Sequence, residues 1–308
     1  MNKTCIIIAG PTAVGKTSIA LAIARHFSTE IISADSRQCF KELNIGVAKP
    51  TAAELEGIHH YFINSHSIHD DISAADFERY ALNAVEGIFL KNDIAVMVGG
   101  TGLYIKAFCE GMDEIPAVDS LIRNSIITDY NNKGIDWLRE QIKNNDLDYF
   151  SKGEIENPQR MMRALEVKLS TGKSIISFRS GKKEKRDFNI ITIALELPRD
   201  ILYQRINARV DDMMKAGLLE EARSLIPFKH LNALQTVGYR ELFDHFDGKY
   251  SLERAVELIK QNSRNYAKRQ LTWFKKDPSI NWLAPGMNIM LKYLGDKFGN
   301  LSADRQVW

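Results

Sequence analysis

Cysteine is scarce in this chain. Its three copies, Cys5, Cys39 and Cys109, are widely spaced and form no C-x-x-C pair. This pattern excludes a disulfide scaffold and a cysteine-based zinc site, and it is typical of a reducing compartment. Long apolar runs are also missing, because no stretch approaches membrane-spanning length and the N-terminal apolar run is too short for a secretory signal. We therefore expect a cytoplasmic protein without disulfides or membrane segments.

The chain also lacks a large excess of charge of either sign. Lys and Arg number 41 against 39 Asp and Glu, so the formal net charge is only +2. Composition by itself thus gives no indication of a nucleic-acid partner, and any such argument must rest on local clusters of charge. An apolar fraction of 44% over 308 residues is that of an ordinary globular protein with one large core or two smaller ones.

A glycine-containing motif near the N-terminus, GPTAVGKT, matches the spacing G-x-x-x-x-G-K-[ST] without a gap. It lies between an apolar run, CIIIA, and a helical pattern, SIALAIARHF, which is the strand–loop–helix context that a phosphate-binding loop requires. The glycines let backbone N–H groups turn toward an anion at the positive end of the helix. Lys16 adds a mobile charge, and the Thr17 hydroxyl can ligate Mg²⁺. The predicted diphosphate-binding residues are Gly10, Pro11, Thr12, Ala13, Val14, Gly15, Lys16 and Thr17.

Further apolar runs predict strands at 30–36, 93–102 and 189–197, with helical patterns between them. This alternation predicts an α/β fold with a doubly wound parallel sheet. Because ligands bind beyond the carboxyl ends of such strands, we expect Asp35 and Gly99–Thr101 to lie near the phosphate loop.

Residues 113–187 carry helical patterns and no buried-strand pattern. We predict that they form an inserted helical domain, while residues 1–112 and 188–308 form the α/β core with C-terminal helices. Within the insertion, Pro158 at a first helical position and Gly172 just past the end bracket a helix. Met161, Leu165 and Leu169 recur every four residues on it, a spacing typical of a core stripe.

A phosphate loop is most often used for phosphoryl transfer from ATP, so a small-molecule kinase is the first hypothesis. Such enzymes usually place a second carboxylate for Mg²⁺ at a strand end, but the run IAVMV ends in Gly-Gly-Thr. Asp35, which follows IISA, could hold the metal or act as a general base facing the diphosphate. The motif leaves both roles open.

The segment KQNSRNYAKRQLTWFKK, residues 260–276, carries six basic residues and no acidic one. On a helix Arg264 and Lys268 lie one turn apart, with Tyr266 and Trp273 between and beyond them. Basic groups interleaved with aromatic rings suit an RNA backbone with stacked bases. The alternative is a solvated helix face whose two aromatic rings pack in the core.

A second basic cluster, RSGKKEKR at 179–186, has five basic residues against one glutamate. Two such clusters in a chain of nearly balanced charge favour a polyanionic RNA partner over a small metabolite.

Several motifs together resemble those of one family. In chain order they are GPTAVGKT, SADSRQCF, IGVAKP, VGGTGLY, NPQRMMRALEV, QTVGYRE and YAKRQLTWF. Over residues 5 to 283 this series resembles the tRNA dimethylallyltransferases, also called tRNA isopentenyltransferases. The resemblance implies a P-loop NTPase-like fold with a helical insertion. It also implies Mg²⁺-assisted transfer of a dimethylallyl group from dimethylallyl diphosphate to N6 of the adenosine immediately 3′ of a tRNA anticodon, so that the loop holds a leaving group rather than ATP.

The resemblance also implies roles for single residues. Asp35 matches the family's catalytic aspartate, Thr101 a threonine near the bridging oxygen of the diphosphate, and Arg209 an arginine on the diphosphate. The tRNA contacts implied by the motifs are Asp35, Ser36, Arg37, Gln38, Thr101, Arg123, Gln159, Arg160, Met161, Met162 and Arg163. The basic segment adds Arg264, Lys268 and Arg269 to the predicted tRNA contacts.

Departures from the family pattern concern details. Phe40 stands where the family usually has a tyrosine, and no cysteine follows Cys109, so we expect a bacterial-type enzyme without the zinc finger of eukaryotic members. We expect a monomer that binds the anticodon stem-loop. The alternatives are an adenylate isopentenyltransferase acting on free nucleotides, a P-loop kinase, and a nucleotide-gated RNA-binding switch without transfer chemistry.

Overall fold

Parallel strands form a six-stranded sheet within residues 3–303, the part of the chain that the computed structural model describes. The strand order is β3-β2-β4-β1-β5-β6, and every neighbouring pair is parallel. The predicted parallel α/β sheet is therefore confirmed. The strands are β1 (Thr4–Ala9), β2 (Ile31–Ala34), β3 (His60–Tyr61), β4 (Ile94–Gly99), β5 (Asn189–Leu195) and β6 (Asn281–Leu283).

Helices connect and flank these strands, and none within residues 3–303 combines the length and apolarity needed to cross a membrane. Short 3₁₀ helices lie at Ile175–Phe178, Ile226–Phe228 and Asn232–Leu234. The α-helices are α1 (Lys16–His26), α2 (Ala52–Leu55), α3 (Ala74–Phe89), α4 (Gly102–Glu110), α5 (Ser120–Asn145), α6 (Leu147–Lys152), α7 (Pro158–Thr171), α8 (Arg199–Lys215), α9 (Leu218–Ser224), α10 (Tyr239–Phe246), α11 (Leu252–Phe274) and α12 (Met287–Ala303).

Both faces of the sheet are buried, which explains why its strands read as continuous apolar runs. On one face Ile7 of β1 and Met97 of β4 pack in a cluster with side chains of α3 and α4. On the other face Ile6, Ile8 and Val96 pack in a second cluster with side chains of α1 and α12. Helices thus cover the sheet on both sides, and the predicted doubly wound architecture is confirmed.

The chain divides into two compact units, of which the second comprises Met112–Glu184 and the first comprises the remainder. The second unit is helical, and its α7 begins at Pro158 behind the N-cap Asn157 and ends before Gly172, whose φ of 73° is left-handed. Its core includes Met161 and Leu165. Leu169 is 47% exposed, so the predicted core stripe is wrong at its last position, where the helix turns that side chain outward.

Candidate active site

A cavity of about 600 Å³ opens where the carboxyl ends of β1, β2 and β4 meet. The phosphate loop contributes Thr12, Lys16 and Thr17 to its wall, and Asp35 follows β2 on the same wall. The glycines after β4, together with side chains of α8 and α11, complete much of the rest. The structure thus brings the predicted loop and the predicted carboxylate to a single cavity.

The phosphate loop turns back sharply at two glycines. Gly10 has a φ of 134°, and a Cβ there would lie 2.8 Å from the Leu195 carbonyl oxygen, so no larger residue fits. Gly15, with a φ of 102°, begins α1. The first turn of α1 has neither an acidic residue nor a side-chain cap. No side chain of its own first turn therefore occupies the positive end of α1, which leaves its N–H groups available to an anion.

Two half-buried cations face this loop. Lys16 donates from Nζ to the Pro11 carbonyl oxygen at 2.7 Å, and Arg209 of α8 donates from Nη1 to Thr12 Oγ1 at 3.3 Å. Burial, and then the nearby Arg209 charge, lower the pKa of Lys16 to about 7, against the opposing effect of Asp35. Positive charge is thus held at a cost in solvation, and a bound anion would offset that cost.

Asp35 sits in a tight turn directly after β2. Its Oδ1 accepts from the backbone N–H groups of Arg37 at 2.9 Å and Gln38 at 3.3 Å. No donor within residues 3–303 bonds Oδ2, so one carboxylate oxygen is held by the turn and the other can accept a proton. This is the arrangement of an oriented general base.

Thr101, at the start of α4, is joined to the turn that carries Asp35. Its Oγ1 accepts from the Ser36 backbone N–H at 3.0 Å, and its own N–H donates to the Ala34 carbonyl oxygen at 3.2 Å. Tyr266 of α11 also lines the cavity, and burial, followed by Asp35, raises the pKa of its hydroxyl to about 12. The phenol therefore stays neutral at physiological pH.

Gln38 has a structural role within the first unit. Its Nε2 donates to the carbonyl oxygens of Val47 at 3.2 Å and Ala48 at 3.0 Å, and its Oε1 accepts from Ser33 Oγ at 3.2 Å. The amide predicted to contact tRNA is thus engaged in holding the loop that forms one wall of the cavity. An RNA contact by this amide would have to compete with these three bonds.

The basic stripe of α11 is divided between the cavity and the surface. Arg264 donates to Asn207 Oδ1 at 2.6 Å, while Arg269 lies over the Tyr266 ring at 5.6 Å and also lines the cavity. Lys268 is exposed, and Trp273 is 36% exposed. The alternative in which Tyr266 and Trp273 pack in the core is therefore wrong, because Tyr266 reaches the cavity and Trp273 the surface.

The second unit holds the remaining predicted RNA contacts. Arg163 donates to the buried Glu166 carboxylate at 3.3 Å, and Arg123 Nε lies 3.9 Å from the other oxygen of that group. Gln159 and Arg160 at the start of α7 are exposed.

Two of the predicted contacts on α7 need correction. Met161 is fully buried and Met162 is 5% exposed, and both pack in the core of the second unit. These two side chains are therefore inaccessible to RNA, and the prediction that they contact tRNA is wrong. Apolar residues on the inner face of an amphipathic helix are buried by the hydrophobic effect whatever motif they belong to.

The cluster at 179–186 is not wholly a charged surface. Arg186, in the first unit, donates to Glu78 Oε1 at 2.7 Å, to the Phe108 carbonyl oxygen at 2.8 Å and to the Ala107 carbonyl oxygen at 3.0 Å. Its side chain is 12% exposed. This arginine therefore stabilises the fold, and the RNA argument for the cluster rests on its other members.

Two residues have structural roles that motif spacing does not predict, and one of them, Gln270, lines the cavity. Gln270 is 6% exposed although it is polar, and its amide bonds both the phosphate loop and the end of β4. Glu221 accepts from the N–H groups of Ile45 and Gly46 and thereby fixes the loop at the mouth of the cavity. The sequence does contain one indication of the role of Gln270. It lies at helical spacing between Ala267 and Phe274, so it is a polar residue in a buried helical stripe.

Comparison with known proteins decides the family. Residues 38–277 match the family model described as IPP transferase. The chain belongs to the IPP transferase family. One curated relative of this IPP transferase, a tRNA dimethylallyltransferase of Christiangramia forsetii, is 52% identical over 282 residues, covering 92% of this chain and 93% of the relative. A tRNA dimethylallyltransferase of Flavobacterium johnsoniae is 48% identical over 286 residues, covering 91% and 93%.

Solved structures agree with this IPP transferase in fold. A tRNA isopentenylpyrophosphate transferase from Bacillus halodurans superposes with a TM-score of 0.70 at 32% identity, covering 97% of this chain and 96% of that one. A eukaryotic dimethylallyltransferase acting on tRNA gives a TM-score of 0.73 at 28% identity, covering 88% and 69%. The predicted P-loop NTPase-like fold is thereby confirmed.

Proposed function

We propose that this IPP transferase moves a dimethylallyl group from dimethylallyl diphosphate to N6 of the adenosine immediately 3′ of a tRNA anticodon, with release of diphosphate. The observation that carries this proposal is the meeting of Lys16, Arg209 and Asp35 on the wall of one cavity. Cations beside a phosphate loop suit a departing diphosphate, and a carboxylate in the same cavity suits removal of a proton from the acceptor. The names of the curated relatives support the same reaction.

The bond that breaks joins the allylic carbon to the bridging oxygen of the diphosphate, and the electron pair leaves with that oxygen. Negative charge therefore grows on the leaving group as the bond lengthens. The amides of the phosphate loop, together with Lys16 and Arg209, lie where they would stabilise this charge. Because the Thr101 hydroxyl is fixed by Ser36 N–H, it can orient toward the same oxygen without searching for a rotamer.

The bond that forms joins the allylic carbon to adenine N6. The lone pair of this amine is delocalised into the ring, so the amine is a weak nucleophile until its proton is removed. Asp35, held through Oδ1, accepts that proton in our proposal. The adenine must leave the base stack of the anticodon loop to reach the cavity.

We propose that Mg²⁺ assists the transfer, held by the Thr17 hydroxyl on the cavity wall together with oxygens of the substrate diphosphate. Within residues 3–303 no group of three or more His, Cys, Asp or Glu side chains could hold a metal ion. This fits Mg²⁺, which is commonly bound through one or two protein oxygens, substrate phosphates and waters. When bound, the ion would neutralise charge on the leaving diphosphate.

A transfer assay tests the proposal directly. Labelled dimethylallyl diphosphate and Mg²⁺ are supplied with unmodified tRNA beside free AMP and ATP. We expect label in the tRNA alone. Label in the nucleotides would support the adenylate isopentenyltransferase instead, and label in neither acceptor would favour the kinase or the RNA-binding switch.

The lowered pKa of Lys16 predicts proton uptake when diphosphate binds. At pH 8 a lysine with a pKa of about 7 is mostly neutral, and an adjacent anion favours its charged form. Binding should therefore weaken as the pH rises through 7. We expect titration calorimetry of inorganic diphosphate at pH 8, in buffers of different ionisation enthalpy, to give uptake of close to one more proton by the wild type than by Lys16→Arg. Equal uptake by the two proteins would contradict this account.

The exposed cations of α11 predict a salt-dependent tRNA affinity. Lys268→Glu with Arg269→Glu should weaken tRNA binding by about tenfold or more and flatten the plot of log affinity against log salt by roughly 1 to 2 units of slope. Filter binding at several salt concentrations measures both. Arg25→Glu with Lys91→Glu is the matched control, since both residues are exposed and precede the amino ends of β2 and β4. An unchanged slope in the α11 variant would remove that helix as a phosphate contact.

A further inference from the structure

One buried amide joins the two halves of the cavity. Gln270 Oε1 accepts from the Thr12 backbone N–H at 2.9 Å, and its Nε2 donates to the Gly100 carbonyl oxygen at 2.9 Å. A Cβ on Gly100 would lie 2.2 Å from that Nε2, so the amide packs directly on the backbone after β4. A side chain from the C-terminal third of the protein thus connects the phosphate loop to the strand end.

Each partner of Gln270 is itself part of the chemical machinery. Thr12 is held at its N–H by Gln270 and at its hydroxyl by Arg209. Gly100 directly precedes Thr101, whose hydroxyl bonds the turn that carries Asp35. The amide therefore lies between the side of the cavity that takes the leaving group and the side that takes the proton.

We propose that Gln270 is a positioning residue that sets the spacing between the phosphate loop and the Thr101–Asp35 side of the cavity. This inference rests on the proposed transfer reaction. Both ends of the Gln270 amide are bonded to the protein, so in this proposal Gln270 acts through Thr12 and Gly100. Its helix α11 also supplies Tyr266 and Arg269 to the cavity wall, so the proposed RNA-facing helix and the spacing of the proposed catalytic groups depend on one element.

The chemistry of the two bonds explains why the side chain is an amide. One partner is a donor and the other an acceptor, and Gln offers both a carbonyl oxygen and an NH₂ group at this length. Without Gln270 the part-buried Thr12 N–H and the buried Gly100 carbonyl would each lose a partner. An ionised carboxylate at this position would still accept from Thr12 but would repel the Gly100 oxygen, whereas a protonated carboxyl would restore both bonds.

That difference gives a pH signature that a purely structural role would not produce. The variants are Gln270→Glu, Gln270→Leu and, as a matched control, Gln261→Glu at an exposed position of the same helix. Single-turnover transfer to tRNA is measured from pH 5.5 to 8.5, and each rate is divided by that of the wild type at the same pH, which removes the pH dependence common to all the proteins.

We expect Gln270→Glu to lower kcat by at least about tenfold at pH 8, with KM for dimethylallyl diphosphate and tRNA within about threefold, because misplacement of reacting groups acts on the chemical step. The deficit should shrink as the pH falls and the introduced carboxyl gains a proton. Gln270→Leu should have a deficit that does not depend on pH, and Gln261→Glu should match the wild type throughout.

The outcomes separate this inference from the proposed reaction. If the wild type transfers nothing to tRNA, the proposed reaction fails. If the wild type is active but the deficit of Gln270→Glu is independent of pH, or resides in KM alone, only the positioning role fails. The comparison between pH values is internal to Gln270→Glu, so the test stands even if Gln270→Leu does not fold.

Discussion

Transfer by Asp35→Asn is expected to be slower than transfer by the wild type by about a hundredfold or more. The asparagine oxygen can still accept from the N–H groups of Arg37 and Gln38, which fixes the turn in the wild type. The substitution thus keeps the local geometry and removes only the carboxylate that takes the proton. Asp35→Ala removes both, so the difference between the two variants measures what the turn itself contributes.

Single-turnover rates with saturating tRNA measure this effect, and filter binding measures tRNA affinity. We expect the tRNA affinity of both variants to stay within a few-fold of the wild type, because most of the proposed RNA contacts are made by other residues. A transfer rate for Asp35→Asn within tenfold of the wild type would rule out Asp35 as the base.

Gly99→Ala is expected to lower stability by about 3 kcal/mol, at the upper end of the usual cost of overpacking. A Cβ on Gly99 would lie 2.1 Å from the Ala34 carbonyl oxygen and 2.4 Å from its carbonyl carbon. These are backbone atoms of the neighbouring strand, so no side-chain rotation relieves the clash. Because Ala34 is followed directly by Asp35, any separation of β2 from β4 also displaces the proposed base, and transfer should fall together with stability.

Gly87→Ala is the matched control for that prediction. Gly87 lies in α3, and a Cβ there would meet no atom within 4 Å, so the higher helix propensity of alanine should stabilise the protein by up to about 1 kcal/mol. Thermal melting of the two variants is compared with transfer rate. Equal melting temperatures would mean that β2 and β4 can separate freely, contrary to the packing of the sheet.

The parts of the fold that local sequence encodes are predictable. The order CIIIA, GPTAVGKT and a helical pattern describes β1, the phosphate loop and α1, because buried strand, glycine turn and amphipathic helix each leave a short-range signal. The strands β3 (His60–Tyr61) and β6 (Asn281–Leu283) leave none, because two or three residues cannot display a period. Their pairing is decided by the neighbouring strands.

The candidate site follows the same division. The approach of Asp35 to the phosphate loop follows from the rule that parallel strands end at one edge. The bonds of Gln270 to Thr12 and Gly100 join residues far apart in the chain, and no spacing rule reports them. Met161 shows that a motif can also mislead. It lies in a family motif that predicts a tRNA contact, but its side chain is buried in the core.

The bonds of Arg186 to the carbonyl oxygens of Ala107 and Phe108 have a consequence for how such a chain can evolve. They fasten the segment that leaves the sheet-bearing unit, near Gly111, to the segment that returns to it, near Lys185. Because these bonds hold the two ends of the inserted unit together, the residues between them can increase or decrease in number, or change in sequence, while the strands keep their register. The two units can then vary independently within a single polypeptide.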